Sequence, residues 1–240
     1  MRERRARTPR DARRRAHGQN LLASRALARQ LVDDAGVRSD DLVVEIGAGT
    51  GLLTSELARR AGAVLAVELD SAFAEQLRRR FAAHERVTVI EGDALRIALP
   101  RQPFRVVANV PFNASTAILQ RLLDPMLGLE RADLVLQWEV ARKRAGRPRS
   151  ALSASWAPWW RFRLGRRIPS AAFRPRPAVA AGVLVVERRR APFLPPESFE
   201  EYARFVRSLY DGSLARGLDG ARWAELFGAW DSFQTRSRPT

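Results

Sequence analysis

Four consecutive residues, Asn109, Val110, Pro111 and Phe112, combine an amide, a fixed turn and an aromatic ring directly after the strand-like run 104–108. The Asn109 side chain and the Val110 carbonyl can both accept hydrogen bonds from one exocyclic amine. Pro111 fixes φ and removes a competing donor, and Phe112 can stack on a planar base. The four residues are therefore candidate catalytic residues for methylation of adenine at N6. On its own, such a tetrapeptide is more often an ordinary strand-to-loop turn.

A glycine-rich turn lies upstream, between the strand-like run 42–46 and the helix-like run 52–58. Gly47, Gly49 and Gly51 allow the backbone to approach a ligand closely, because glycine lacks a side chain. Their G-x-G-x-G spacing differs from the G-x-G-x-x-G of dinucleotide sites, and no Lys-Ser/Thr pair follows as a phosphate loop requires. Nicotinamide and ATP are therefore disfavoured as ligands.

Two further strand-like runs end in acidic residues. Glu68 follows the first glycine by about 20 residues, as ribose recognition requires, and Asp93 is placed to accept a hydrogen bond from a cofactor adenine amine. Each acid alone is more often a solvated strand end or a helix cap. Together they lie at the carboxyl ends of successive strands, where an open α/β sheet binds its ligand.

The order of these motifs resembles the S-adenosylmethionine-dependent rRNA adenine N6-methyltransferases. The resemblance spans residues 17–190 and includes G-Q-N-L-L at 18–22, E-I-G-A-G-T-G at 45–51 and F-R-P-R-P-A-V at 173–179. It implies S-adenosylmethionine as cofactor and a Rossmann-like methyltransferase fold. It also implies that Phe112 and Phe173 hold the target base, and that the cofactor site includes Gln19, Asn20, Leu22, Gly47, Glu68, Asp93 and Asn109. Leu21 replaces the usual phenylalanine, which puts one packing contact beside the cofactor in doubt.

Two branches of this family act on different RNAs. The stretches 136–146 and 156–160 resemble the Erm branch, which methylates 23S rRNA and confers macrolide resistance, and arginine-rich actinomycete members in particular. The alternatives are a housekeeping 16S rRNA dimethyltransferase and a non-catalytic RNA-binding or assembly factor on the same fold. Intact Glu68, Asp93 and Asn109 argue against the last.

Basic charge is concentrated in two segments. The chain has a net charge of +16 and a pI near 11.6, which suits a polyanionic partner such as RNA. Residues 140–186 contain eleven basic residues and no acid, and residues 1–17 carry a net +6. Codon bias explains why Lys143 is the only lysine, but it does not explain the missing acids. The candidate RNA contacts are Arg142, Lys143, Arg144, Arg147 and Arg149, and an idle solvated face is the alternative.

Alternating strand and helix patterns predict a doubly wound α/β domain over residues 18–190. Strands are expected near 42–46, 63–68, 87–90, 104–109, 132–137 and 181–187, and helices near 24–35, 52–61, 71–82 and 115–127. The tryptophan-rich stretch 153–162 is interpreted as a late sheet strand whose rings pack on neighbouring helices, and stacking of these rings on unpaired bases is the alternative. A proline-rich boundary then predicts a small helical domain over 191–240, and the family resemblance implies that this domain forms part of the RNA cleft. The basic arm 1–17 is expected to be flexible.

Several classes of chemistry are disfavoured by composition. The chain has no cysteine and two histidines, so neither a thiolate nucleophile nor a metal site is expected. A signal peptide and a long apolar run are both missing from the sequence. A cytoplasmic, monomeric enzyme is expected.

Overall fold

Seven strands form the central sheet of this protein, and a two-stranded sheet lies beside it. The structure is a computed structural model that describes residues 20–148, 150–209 and 218–236. Its strands are β1 Leu21–Leu22, β2 Leu42–Ile46, β3 Ala63–Glu68, β4 Val87–Glu91, β5 Phe104–Asn109, β6 Leu129–Gln137, β7 Trp160–Ile168, β8 Phe173–Arg174 and β9 Ala181–Arg188. Its helices are α1 Arg25–Ala35, α2 Leu52–Ala58, α3 Ser71–Arg80, α4 Ser115–Leu122, α5 Trp138–Arg144, α6 Ala151–Trp156, α7 Phe199–Leu209 and α8 Gly220–Arg236.

The order of the strands in the large sheet creates the position for a site. That order is β4-β3-β2-β5-β6-β9-β7; β9 runs antiparallel to both of its neighbours, and the other six strands run in one direction. From β2 the chain continues to β3 and β4 on one side of the β2–β5 pair, and from β5 it continues to β6 on the other side, so α2 and α4 pack in different hydrophobic clusters on opposite faces of the sheet. Such a switch point leaves a crevice at the carboxyl ends of the two strands. The glycine turn after β2 and the Asn109 segment after β5 therefore meet there, and the predicted doubly wound α/β fold is confirmed.

Local sequence explains where the helices begin and end. Ser24 caps α1 by accepting a hydrogen bond from the Leu27 amide at 3.2 Å, and Gly36 ends it with a left-handed φ of 61°. Asp70 caps α3 by accepting from the amides of Ala72 and Phe73. Small polar residues satisfy the free amides at a helix start, and glycine adopts the left-handed end at little cost.

The short strands β1 and β8 pair antiparallel, with Leu21 opposite Arg174 and Leu22 opposite Phe173. The Ala23 amide extends this link by donating to the Ala172 carbonyl at 2.9 Å. Segments about 150 residues apart in sequence are thus joined, and the residues that precede α1 are held over the carboxyl edge of the large sheet. Two-residue strands leave no periodic pattern, so they were not predicted.

The expected strand over 153–162 is wrong in its first half. Ser150 accepts a hydrogen bond from the Ser153 amide at 3.2 Å and caps helix α6, which ends at Trp156, while the strand β7 begins only at Trp160. Aromatic residues favour strands on average, but a cap followed by buried helical positions outweighed that preference here. The predicted burial of the rings is confirmed, because Trp156, Trp159 and Trp160 are each at most 1% exposed.

Helices α7 and α8 pack against α6 through aromatic rings. Tyr202 lies at the centre, with ring centroids 5.5 Å from Trp159 and 5.4 Å from Phe227, and its hydroxyl donates to the Ala154 carbonyl at 3.0 Å. These rings belong to the same hydrophobic cluster as the face of the sheet that carries α4. A division into arm, catalytic domain and helical domain at 17 and 190 stays a prediction, and the arm lies outside the described residues.

Candidate active site

The glycine turn after β2 is held by the carboxylate of Glu68, at the end of β3. One Glu68 oxygen accepts the Gly49 amide at 2.7 Å, and the other accepts the Asp70 amide at 2.9 Å. Gly47 and Gly49 have φ values of 74° and 54°, which residues other than glycine rarely adopt. Glu68 is 2% exposed, and burial raises the pKa of its carboxyl although the two amides oppose that shift. The turn is thus fixed with its backbone facing the crevice.

Asn109, at the end of β5, has a side chain of which only one half is satisfied. Its Nδ2 donates to the Asn20 carbonyl at 2.6 Å. Because a carbonyl only accepts, this contact fixes which way the amide points. The buried Oδ1 has no hydrogen-bond partner among the described residues. An unsatisfied buried acceptor costs about 1 to 3 kcal/mol, so its presence indicates a donor supplied by a ligand.

A cleft of about 800 Å³ opens beside these groups, a size typical of small-molecule sites. Its polar lining comes from Asn20, Gly47, Glu68, Asp93 and Asn109, and its apolar lining from Leu21, Ile46, Val67, Leu95, Pro111 and Ile118. Among the described residues, two carboxylates and no arginine line the cleft, although the chain carries a net charge of +16. This electrostatic environment favours a cationic ligand over a phosphate-bearing one.

Asp93 lies on the far wall of the cleft, after β4. Its Oδ1 accepts the Leu95 amide at 2.9 Å, and its Oδ2 lies 3.8 Å from the Arg96 guanidinium. Arg96 is largely exposed, with 88% of its side chain accessible, so water weakens its hold on the carboxylate. One Asp93 oxygen is therefore available to a donor in the cleft.

Phe112 and Phe173 meet at the rim of the site. Their ring centroids are 6.4 Å apart with an interplanar angle of 68°, an edge-to-face contact that stabilises aromatic pairs. Phe112 is partly buried, whereas Phe173 has 0% exposure. In this conformation Phe173 therefore has no exposed ring face on which a base could stack. Its contact with Phe112 instead fixes the orientation of the Phe112 ring. Val110 is 2% exposed, and its amide donates to the Val135 carbonyl at 3.3 Å.

Two other predicted cofactor residues, Leu22 and Gly51, lie away from the main cleft. Leu22 lines a smaller adjoining cavity of about 240 Å³ instead of the main cleft. A Cβ at Gly51 would lie 2.7 Å from Leu77, so this glycine permits α2 to pack against α3. Gln19 lies outside the described residues. Leu21, the departure from the family pattern, covers the turn so closely that a Cβ at Gly49 would lie 2.6 Å from it.

Comparison with known proteins assigns this arrangement to a family. The family described as "Ribosomal RNA adenine dimethylase" matches residues 10–212. The chain belongs to this family. It is 40% identical over 203 residues to the mycinamicin-resistance protein MyrB of Micromonospora griseorubida, covering 84% of this chain and 64% of MyrB. It is 39% identical over 212 residues to an rRNA methyltransferase of Streptomyces thermotolerans, covering 88% of this chain and 71% of the relative.

Both branches of the adenine dimethylase family are represented among its relatives. The ribosomal RNA small subunit methyltransferase A of Magnetococcus marinus is 37% identical over 203 residues, covering 80% of this chain and 73% of the relative. The crystal structure of the 23S rRNA methyltransferase ErmE superposes with a TM-score of 0.76 at 27% identity, covering 88% of this chain and 100% of that one. The Rossmann-like methyltransferase fold is thereby confirmed, together with the helices that follow the sheet.

Among residues 20–148, 150–209 and 218–236, no helix is long and apolar enough to cross a membrane. Within the same ranges, no group of three or more histidines and acids is placed to hold a metal ion.

The predicted RNA-contacting residues lie on and after α5. Arg142 and Lys143 are exposed, and Arg142 pairs with Glu139 at 2.7 Å, just before the acid-free segment. Arg144 is partly buried, and its guanidinium lies 5.9 Å from the centre of the Trp156 ring. Arg147 is exposed, and Arg149 lies outside the described residues. These contacts to RNA stay a prediction.

Some residues of the cleft escaped sequence reasoning. Leu95 and Ile118 belong to a turn and to α4, where apolar side chains are expected in the core for any fold. Ala114 and Asn113 immediately follow the Asn109–Phe112 motif, and extending the motif by two residues would have found them. Tertiary contacts alone identify the other two.

Glu45, in β2 beneath the glycine turn, is a buried acid that sequence reasoning did not single out. It is 1% exposed, and Thr54 Oγ1 donates to its Oε2 at 2.6 Å. Burial raises the pKa of its carboxyl from 4.5 to about 8, and the Thr54 hydrogen bond only partly opposes this, while nearby Glu68 adds to it. The folded protein therefore holds the Glu45 proton more tightly than the unfolded chain does.

This raised pKa makes folding stability depend on pH. Its contribution is fully present below pH 4.5 and is lost as the pH rises towards 8, because the unfolded chain then releases the proton first. Glu45→Gln should remove this loss, since glutamine can still accept from Thr54. We expect the melting temperatures of variant and parent to be similar at pH 5 and the variant to be the more stable at pH 8.5. The difference between variant and parent in the free energy of unfolding amounts to ~1.4 kcal/mol per unit of pKa shift.

Thermal unfolding followed by circular dichroism at several pH values measures this difference. Glu85→Gln is the matched control, because Glu85 is exposed in the turn before β4. It should leave the pH profile of the parent unchanged. A variant of Glu45 whose stability runs parallel to the parent from pH 5 to 8.5 would mean that Glu45 is ionised throughout.

Proposed function

We propose that this protein transfers the methyl group of S-adenosylmethionine to N6 of an adenine in the peptidyl transferase loop of 23S rRNA, and so confers resistance to macrolide-type antibiotics. The observation that carries the proposal is the buried Asn109 Oδ1, an acceptor with no described partner at the mouth of an acidic cleft. An exocyclic amine is a donor of the kind that this oxygen lacks.

The cleft fits the proposed cofactor by charge and by hydrogen bonding. S-adenosylmethionine supplies a positively charged sulfonium with a transferable methyl group. Glu68 and Asp93 provide negative charge, and no arginine among the described residues lines the cleft to oppose it. Glu68 retains lone pairs for ribose hydroxyls, because its two oxygens accept the Gly49 and Asp70 amides, one each. Asp93 would accept a hydrogen bond from the adenine amine, and the glycine turn would leave room for the remainder.

The residues after β5 would then position the target base. Pro111 lines the cleft beside Asn109, and the partly exposed ring of Phe112 is fixed by Phe173. Asn109 Oδ1 and the Val110 carbonyl would each accept a hydrogen bond from one N–H of the adenine N6 amine. These two bonds would favour a more tetrahedral nitrogen, whose lone pair is less delocalised into the ring. They would also support loss of a proton from N6 after methyl transfer. Holding the amine beside the sulfonium lowers the barrier by as much as roughly 7 to 11 kcal/mol in well-oriented systems.

The 23S branch is supported by the structure of the 23S rRNA methyltransferase ErmE, antibiotic resistance by the name of MyrB, and the 16S branch by the small-subunit relative at 37% identity. The chain spans 64% of the length of MyrB, so its activity is measured directly. Incubation with methyl-labelled cofactor and either protein-free 23S or 16S rRNA separates the branches. We expect label in N6-methyladenine of 23S rRNA. Label in 16S alone assigns the housekeeping activity, and label in neither contradicts both.

Asp93→Ala should weaken S-adenosylmethionine binding by about 1 to 3 kcal/mol, because a buried amine on the cofactor would lose its acceptor. Titration calorimetry measures this. Asp93→Asn keeps an oxygen for the Leu95 amide but loses the charge, so it should bind with intermediate affinity. Asp40→Ala removes an exposed carboxylate that pairs with Arg38 at 3.5 Å, and it should bind like the parent. Equal affinity in the parent and in Asp93→Ala would remove Asp93 from the site.

Phe112→Ala should slow methylation by one or two orders of magnitude while leaving cofactor affinity nearly unchanged. The reason is the loss of base stacking worth about 1 to 3 kcal/mol, which helps offset the cost of flipping the target out of its stack. Single-turnover kinetics with saturating cofactor measures the rate. Phe112→Leu keeps bulk without an aromatic face, so it should remain slow. Parental rates in both variants would show that the ring does not hold the base.

A further inference from the structure

A second cavity, here called the arginine cavity, has the opposite charge to the cofactor cleft. It has a volume of about 790 Å³ and lies between the turn after α5, the first half of β7 and the start of α8. Of the residues that the structure describes, one acid, Asp219, lines it. The five described arginines in its lining are Arg144, Arg147, Arg161, Arg163 and Arg189.

Strand register places the arginine cavity far from the Asn109 edge. Ile168 pairs with Ala181 at the same sheet edge as Asn109, whereas Trp160 pairs with Arg188 at the opposite edge. Ala181 and Arg188 are seven residue steps apart along β9, which corresponds to a distance of about 23 Å at the usual rise per residue. A nucleotide whose base enters the cofactor cleft therefore cannot also fill the arginine cavity.

The arginines are close together and short of acids. Within the described ranges, Arg144, Arg147, Arg161 and Arg189 make no ion pair with an acid, and Arg163 shares Glu187 with Arg131. Burial lowers the pKa of Arg144 and of Arg189, and the neighbouring Arg161 lowers the pKa of Arg189 further. Asp219 caps α8 through the Ala221 and Arg222 amides, and its single charge is shared between Arg147 and Arg189 without a close ion pair among the residues described. Mutual repulsion of this kind destabilises the free protein.

Local contacts nevertheless hold the guanidinium groups in place. Arg189 Nε donates to the Ala157 carbonyl at 2.9 Å, and its guanidinium lies 4.5 Å from the centre of the Phe193 ring. Arg144 is held beside Ser150 and over Trp156. Arginines fixed in this way bind phosphate oxygens with little loss of side-chain entropy. A solvated surface would instead leave such side chains mobile and paired with acids.

We infer that the arginine cavity binds backbone phosphates of the RNA substrate at a point remote from the target adenine. This inference rests on the proposed function and deepens it, because it requires an RNA that reaches from the cofactor cleft around to the opposite edge of the sheet. The cavity contributes affinity and register, and base identity is read elsewhere, since phosphate contacts carry no sequence information.

The salt dependence of RNA binding tests the inference. Arg147→Gln/Arg161→Gln removes two exposed arginines of the cavity. If each contacts one phosphate, the slope of log K against log salt for a 23S rRNA fragment should flatten by roughly 1.4 to 1.8. Arg59→Gln/Arg86→Gln is the matched control, because it removes the same charge from exposed positions beside β3 and β4. The control should keep the parental slope. Equal slopes in the two folded double variants would overturn the inference.

A tethered probe gives a second readout that needs no methylation. The chain has no cysteine, so Leu164→Cys on β7 and Thr88→Cys on β4 each provide a single thiol for an iron chelate that cleaves nearby RNA. We expect cleavage at a site away from the target adenine from position 164 and none there from position 88. Identical patterns from both would overturn the inference. If the labelled Leu164→Cys protein binds RNA and cleaves it in this way but methylates nothing, the proposed function fails while the arginine cavity stands.

Pyrophosphate distinguishes a small-anion site from an RNA site. If it raises the melting temperature of the parent while the RNA slope of Arg147→Gln/Arg161→Gln equals that of the parent, the cavity holds a small anion, and the inference about RNA is wrong.

Discussion

The hydrogen bond from Asn109 Nδ2 to the Asn20 carbonyl is the contact on which the candidate active site depends. It fixes the amide so that Oδ1 remains a buried acceptor at the cleft. Its donor stands at the end of β5, at the switch point of the sheet, and its acceptor directly precedes β1. Pairing of β1 with β8 holds that acceptor in place. The orientation of one side chain therefore requires three segments that are distant in sequence.

Negative and positive charge lie in two different cavities of this protein, one suited to a cationic cofactor and one to RNA. The net charge of +16 describes the chain as a whole. In the part of the chain that the structure describes, the cofactor cleft is lined by two carboxylates and no arginine, and the arginine cavity by five arginines and one acid. A cationic cofactor and a polyanionic RNA are attracted to different places by these fields. The net charge of the chain alone would have suggested that the cofactor cleft binds phosphate. The two carboxylates that line this cleft argue against that.

The parts of the fold that follow from local sequence pattern were predicted correctly. The central strands, the glycine turn and the acids at strand ends follow from local pattern, because a parallel sheet requires apolar runs and brings their carboxyl ends to one edge. Residues 153–156 were predicted as strand because aromatic preference was weighed without the Ser150 cap. The burial of Phe173 and the convergence of Arg144 with Arg189 depend on tertiary contacts between distant segments, which one sequence does not display.

Replacement of Asn109 by alanine tests the central claim most directly. Single-turnover methyl transfer to 23S rRNA would be measured at saturating cofactor, with calorimetry and thermal unfolding confirming that the variant binds cofactor and is folded. Loss of a positioned acceptor for the target amine should slow transfer by about two orders of magnitude, equivalent to roughly 2.7 kcal/mol. Transfer within threefold of the parental rate, in a folded variant saturated with cofactor, would contradict the role of Asn109 Oδ1.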